Sequence, residues 1–161
     1  MLCTEKQRAE YLYRSYTAVD GLWFRIIEDA RGFDEALAHD TAVWRVMPKI
    51  QARKIKEMLG LSAGMDHLKT ALLAKFEMEG YETAGPPVKT EDGWTMTVTL
   101  CPWVEILKKV GREHVAESIS GTICPAEMKV WGAEFGDNIS VTVSRGLCTG
   151  GRECEFTLHG D

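Results

Sequence analysis

Two cysteines each stand directly before a proline, at Cys101-Pro102 and Cys124-Pro125. Proline is favoured at the first position of a helix, and the residue before it is held in the extended conformation of an N-cap. The sulfur of an N-cap cysteine faces free N–H groups and the positive end of the helix dipole, which favours the thiolate. The pattern therefore predicts two activated sulfurs, suited to nucleophilic catalysis or to metal ligation.

Glu127 and Trp131 follow Cys124 at i+3 and i+7, so one helix face would present a thiol, a carboxylate and an indole. The carboxylate could serve as a general acid or base, or as a metal ligand. An ordinary explanation also exists, since Glu127 fits a capping box and Trp131 fits a core position. We predict that Cys124, Glu127 and Cys101 are the catalytic residues.

A second dense group of polar and sulfur side chains lies near the C-terminus. Arg145 could bind a substrate carboxylate through two hydrogen bonds, or could form a surface salt bridge. Cys148 and Cys154 could hold zinc or iron together with Cys124 and Cys101, although the chain has no C-x-x-C pair. They could equally be small buried hydrophobes. The metal hypothesis predicts Cys124, Cys148 and Cys154 as ligands.

Aromatic side chains are available to line an apolar pocket beside these groups. We predict that Trp103, Trp131 and Phe135 bind the substrate together with Arg145. Such a pocket would combine apolar walls with a few polar groups, as small-molecule sites commonly do.

The elements that must position these residues change character near residue 80. Helical periodicity dominates up to Gly80, and Trp94–Leu100 alternates with the period of a strand. Helical segments follow, and the strands predicted over residues 138–145 and 154–158 form a hairpin. The pattern predicts an α+β fold: a helical N-terminal half, then a small antiparallel sheet with two or three helices inserted before a C-terminal hairpin. We expect one domain, 1–161, with a helical part (1–80) and a cysteine-bearing part (81–161).

Composition limits the classes of partner. The 161 residues are 45% hydrophobic and 27% charged, as in globular proteins, and carry a formal net charge of −5. We therefore expect no nucleic-acid partner, because phosphate binding needs a concentrated basic surface. No apolar run suits a membrane span or a secretory leader, so we expect a cytoplasmic protein with reduced thiols.

The chain also resembles a known family. Its C-terminal half resembles the L-2-amino-thiazoline-4-carboxylate hydrolase-like proteins, on Cys101-Pro102-Trp103 with Glu105, Leu107 and Lys108-x-x-Gly111-Arg112, Ile123-Cys124-Pro125-x-Glu127 and Gly151-x-x-Cys154-x-Phe156. The N-terminal half is similar to an uncharacterised sister group from anaerobes and archaea, on Val19-Asp20-Gly21-Leu22-Trp23-Phe24, Val43-Trp44 and Gln51-Ala52-Arg53. The ending also resembles the 4-vinyl-reductase domain, a small-molecule-binding fold whose cysteines can hold zinc.

The resemblance implies hydrolysis of a C–N bond in a small cyclic amidine that bears a carboxylate. It places Cys124 and Cys154 on the family's cysteines, Glu127 where aspartate is usual, and Arg145 on a basic strand residue. The leading hypothesis is thus a cysteine-dependent hydrolase that needs no cofactor. The alternatives are a non-catalytic module that binds a small molecule or a metal, and an interaction domain that forms a homodimer.

Overall fold

The computed structural model describes residues 2–160, which form two compact units that meet in sequence between Ala42 and Val43. The first unit contains α1 (Glu5–Arg31) and most of α2 (Phe33–Trp44). Thr4 caps α1, because its hydroxyl accepts a hydrogen bond from the Gln7 backbone while the Gln7 side chain accepts one from the Thr4 backbone. Among the described residues, no helix is long and apolar enough to cross a membrane.

The second unit opens with two helices, α3 (Met47–Leu59) and α4 (Met65–Glu79). Each ends at a glycine with left-handed backbone, Gly60 and Gly80, where a side chain would be strained. Both helices belong to the second compact unit, which begins at Val43.

A five-stranded antiparallel sheet follows α4. It consists of β1 (Glu82–Thr83), β2 (Val88–Lys89), β3 (Gly93–Leu100), β4 (Ile139–Val143) and β5 (Cys154–Gly160). The strand order is β1-β3-β5-β4, and β2 also pairs with β3. The predicted C-terminal hairpin is present as the pair β4–β5, which places Val143 opposite Phe156.

The helices α5 (Pro102–Lys109) and α6 (Ala116–Ala133) lie between β3 and β4, joined by a 3-10 turn at Glu113–Val115. A second 3-10 turn, Gly146–Thr149, connects β4 to the loop before β5. The α+β fold class, with a helical first half and helices inserted into an antiparallel sheet, is thereby confirmed.

One face of the sheet carries the core. Met96 and Val98 alternate with threonines along β3, and both are buried against side chains of α3, α4 and α6. Phe156 and Leu158 continue the same face on β5, where Phe156 meets Phe76 of α4 at 5.1 Å between ring centroids. This period-two burial fixes which β5 side chains point inward.

The helix α6 runs through Pro125, although the sequence predicted a new helix starting there. Proline inside a helix removes one hydrogen bond, at a cost of about 3 kcal/mol. The turns before and after it both bury side chains, among them Ser120, Ile123, Met128 and Trp131. Burial on both sides of the proline stabilises the continuous helix more than the lost hydrogen bond destabilises it.

Candidate active site

A small cavity of about 30 Å³ lies inside the second unit, between α4, α6 and the ends of β3 and β5. Six of the residues predicted from sequence line it: Cys101, Cys124, Glu127, Arg145, Cys148 and Cys154. Two further polar side chains, Lys75 and Tyr81, also line it. The volume suits about one or two water molecules and is far below the several hundred Å³ of a typical ligand pocket.

Cys101 is the N-cap of α5, as predicted, with extended backbone at φ −108° and ψ 116° and Pro102 next to it. The predicted lowering of the Cys101 pKa, however, is not found. Burial raises the pKa of Cys101, although the backbone N–H groups of Trp103 and Val104 face the sulfur and act in the opposite direction. Neither N–H makes a cap hydrogen bond to the sulfur of normal geometry, so the loss of solvation outweighs them.

Cys124 is not an N-cap, and this prediction was wrong. It lies in the middle of α6, one residue before the internal proline, where the neighbouring N–H groups belong to the helix. Burial raises the pKa of Cys124 well above that of a free thiol, and the negative charge of Glu127 raises it further. Cys124 is therefore a neutral thiol in the cavity wall.

Cys148 lies in the 3-10 turn within the loop between β4 and β5, Cys154 is the first residue of β5, and both are free thiols. A hydrogen bond from the Cys154 thiol lowers the pKa of Cys148 to about 6, and Ser120 and Arg145 act in the same direction. The same interaction, with burial, raises the pKa of Cys154. Within this pair Cys148 is therefore the more acidic thiol. The sequence had suggested Cys148 as a metal ligand or as a small buried hydrophobe, and not as a nucleophile.

Arg145 is the one non-glycine residue with positive φ in the described chain, at φ 59° and ψ 23°. This left-handed backbone costs about 1–2 kcal/mol for a residue with a side chain. Its guanidinium lies against Gly121 of α6, where a Cβ would stand only 2.9 Å from Nη1. No carboxylate of the described residues forms a salt bridge with Arg145, so its charge is available to Cys148 and to a ligand.

Lys75 is buried between two carboxylates and was not predicted. Its Nζ donates a hydrogen bond to Glu79 Oε2 at 2.7 Å and lies 3.1 Å from Glu127 Oε1. Burial lowers the pKa of Lys75, but the combined attraction of Glu127 and Glu79 outweighs it, and the net shift is upward. Lys75 is therefore a fixed positive charge that keeps two buried carboxylates in place.

Glu127 supplies a buried carboxylate that is ion-paired with Lys75. The residue is 7% exposed, and its Oε1 has no hydrogen-bond partner of normal geometry, although Lys75 is within ion-pair distance. A buried carboxylate oxygen in this state can accept a further hydrogen bond. Because Glu127 lines the cavity, a water or a substrate N–H could donate that hydrogen bond.

The aromatic residues predicted to bind substrate do not line the cavity. Trp131 and Phe135 are fully buried in the core, and Lys56 Nζ lies 4.4 Å from the Phe135 ring centroid. Trp103 packs edge-on against Trp44, with ring centroids 5.5 Å apart. Their large apolar surfaces are used for packing, which is the ordinary role of such residues.

The residues predicted as metal ligands do not form a ready-made metal site. In the part of the chain that the structure describes, no three His, Cys, Asp or Glu side chains are arranged to hold a metal ion. Cys124, Cys148 and Cys154 share the cavity, yet their sulfurs are not grouped as ligands. The metal hypothesis remains a prediction.

Tyr81, like Lys75, was missed. Its hydroxyl interacts with the Cys101 sulfur, and burial raises its pKa well above the usual value. A signal for Lys75 was present in the sequence: it lies three residues after Leu72 and seven after Leu68, on the apolar face of α4. A charge on such a face marks either a buried ion pair or a functional group.

Comparison with known proteins gives one similarity. The sequence model of a family of unknown function (DUF6125) matches residues 9–83. The matched region holds Lys75, Phe76 and Tyr81 of the cavity, and it ends before Cys101. No curated protein and no solved structure matches the chain.

Proposed function

We propose that the protein is a small cysteine-dependent hydrolase. It acts on a C–N bond of a cyclic amidine, or of a related small molecule, that bears a carboxylate. The substrate class comes from the resemblance of the C-terminal half to the L-2-amino-thiazoline-4-carboxylate hydrolase-like proteins. The nucleophile differs from the one that the sequence favoured, because Cys148 takes the place of Cys124. A reducing cytoplasm would keep these thiols free.

One observation carries this proposal: a single cavity gathers a thiol of lowered pKa, a cation and a buried carboxylate that is held by Lys75. Cys148 provides the first, Arg145 the second and Glu127 the third. Nucleophile, anchor and general base are the parts that acyl-type and amidine hydrolysis require.

The small volume determines how a substrate must bind. Cys148 and Arg145 are both half-buried, at the outer side of the cavity, while Glu127 is buried deeper. The substrate ring therefore docks on the outer side with its carboxylate on Arg145. The inner space, of about 30 Å³, receives water beside Glu127.

The chemistry follows from these positions. The Cys148 thiolate adds to the carbon of the C=N bond, whose π electrons move to the ring nitrogen, and the Cys154 thiol protonates that nitrogen. The second amidine nitrogen forms a C=N bond to the same carbon and expels the ring nitrogen with the electron pair of the C–N σ bond, while the proton that the second nitrogen loses makes the ring nitrogen an amine. Glu127 takes a proton from water as the water oxygen adds to the carbon, and passes that proton to the second nitrogen. Cys148 then leaves as thiolate, the oxygen becomes a carbonyl, and the proton of its hydroxyl returns to Cys154. One water is consumed and one C–N bond is broken.

The test uses L-2-amino-thiazoline-4-carboxylate as probe, with mass spectrometry to detect the product that has gained one water. We expect Cys148→Ala to reduce turnover to background and Glu127→Gln to reduce it by about 10²–10⁴-fold. Cys124→Ala, which removes a neutral thiol from the same cavity, is the matched control and should keep most of the activity.

A second measurement does not depend on the substrate. Iodoacetamide alkylation of Cys148, followed by peptide mass spectrometry, should rise with pH and reach half its plateau near pH 6, because the folded pKa of this thiol is lowered to about 6. Cys101 and Cys124 should stay unmodified over that range, since burial raises their pKa values. Turnover that survives in Cys148→Ala but disappears in Cys124→Ala would contradict the proposal.

A further inference from the structure

The loop between β4 and β5 brings two thiols to the same cavity. Cys148 belongs to the 3-10 turn Gly146–Thr149, and Cys154 is the first residue of β5. The backbone N–H of Leu147 donates to the Cys154 sulfur at 3.4 Å, which holds the turn against that sulfur. The backbone N–H of Gly151 donates to the Gly146 carbonyl at 2.8 Å and closes the loop.

The cavity in front of these sulfurs selects reactants by size. A space of about 30 Å³ is too small for a ring, but it is large enough for a molecule of two heavy atoms such as hydrogen peroxide. Cys148 is half-buried at its edge, and Arg145 beside it can stabilise a departing hydroxide. Cys154 is buried at 5% exposure, so it is shielded from bulky oxidants.

We infer that Cys148 and Cys154 form a peroxide-reactive dithiol, a second activity of this cavity. The Cys148 sulfur attacks one peroxide oxygen, the O–O bond breaks, and hydroxide leaves to be protonated to water. Cys148 is then a sulfenic acid. The Cys154 sulfur attacks the Cys148 sulfur, a second water leaves, and a disulfide remains. One hydroperoxide is reduced, and two thiols are oxidised, per chain.

This inference stands apart from the proposed hydrolysis. The oxidation needs neither Glu127 nor Lys75, because no proton has to be taken from water and no carbon centre reacts. If the proposed hydrolysis is also correct, the disulfide consumes its nucleophile and stops turnover until a thiol reductant restores Cys148.

The experiment treats the reduced protein with one equivalent of hydrogen peroxide. Free thiols should fall from five to three per chain, and the intact mass should lose two hydrogens. Peptide mapping of the wild-type chain should place the disulfide between Cys148 and Cys154, and dithiothreitol should restore all five thiols. A disulfide that includes Cys3, Cys101 or Cys124, or no loss of thiols, would overturn the inference.

Variants separate the two steps. Cys154→Ser should give no disulfide, and Cys148 should instead form an adduct with dimedone, the reagent for sulfenic acids. Cys124→Ser is the matched control and should form the disulfide as the wild type does. Glu127→Gln should also form it even where turnover is lost, so that failure of the hydrolase proposal and failure of the dithiol inference give different results. Wild-type mapping decides the matter even if a variant does not fold.

Discussion

Adding a single methyl group at Gly121 should stabilise the fold and weaken the site at the same time. Gly121 lies inside α6, where replacing glycine by alanine contributes about 0.5–1 kcal/mol to stability. The new Cβ would stand 2.9 Å from Arg145 Nη1, closer than the roughly 3.5–4 Å of normal contact. The obstructing atom is the tip of a long side chain, so the guanidinium can move by about 1 Å at little cost.

The guanidinium's retreat has a calculable effect on Cys148. For charges about 4 Å apart at an effective dielectric constant of about 20, a 1 Å retreat weakens the attraction by about 0.8 kcal/mol. At a pH below the pKa of Cys148, this corresponds to up to about a fourfold fall in the thiolate population. We therefore expect Gly121→Ala to slow alkylation of Cys148 near pH 5.5 by two- to fourfold, approximately, while raising the free energy of unfolding.

Gly132→Ala provides the matched control, with the same substitution on the same helix. There the Cβ would stand 2.6 Å from the backbone oxygen of Ile139, which cannot turn aside as a side chain can. Overpacking against the backbone costs about 1–3 kcal/mol, so this variant should be destabilised. Urea unfolding compares the two. The reasoning fails if Gly121→Ala is destabilised like Gly132→Ala, or if it alkylates at the wild-type rate.

Two further predictions concern the charged residues. In urea unfolding, Arg145→Gly should be about 1 kcal/mol more stable than Arg145→Ala, because only glycine adopts the left-handed backbone of residue 145 without strain. Equal stabilities of the two variants would show that this backbone is not strained. Lys75→Met should lose about 3–5 kcal/mol near pH 7, since it removes the buried cation that lies against the carboxylates of Glu79 and Glu127. A buried carboxyl that has lost its cation has a pKa above that of the unfolded chain, so this loss should shrink as pH falls and largely vanish when Glu79→Gln and Glu127→Gln are added; a pH-independent loss would contradict it.

The fold class was predictable, as was the grouping of the site residues around one cavity, because both depend on local sequence patterns that tertiary packing preserves. Alternation along β3 and β5 determines which side chains enter the core, and Cys154 follows that alternation. Pro102 fixes the start of α5, so Cys101 is an N-cap. Six predicted residues therefore reach one cavity, although they come from four separate segments.

The features that were not predicted depend on burial, which rules for local sequence patterns do not take into account. At Pro125 the local rule predicted a helix start, yet apolar burial on both sides made α6 continuous. Lys75 was overlooked because one of its two partners, Glu127, lies on another helix, far away in sequence. Trp131 and Phe135 had the right composition for a pocket, but that composition is equally suited to a core.

The order of thiol acidity links these outcomes, because burial and side-chain hydrogen bonds decide it more than position at a helix start. Burial of Cys101 outweighs the two backbone N–H groups that face its sulfur, whereas the Cys154 thiol, the largest influence on Cys148, lowers the Cys148 pKa. That donor points inward because β5 pairs with β3 in the register that places Cys154 opposite Val98, on the buried face that Phe156 and Leu158 continue. A slip of one residue in β5 would bring Glu155 to the inner face in place of Cys154, and Cys148 would lose its donor. The register of β5 on β3 therefore sets the reactivity of Cys148, so a substitution that shifts this register should abolish alkylation near pH 6 without touching any cavity residue.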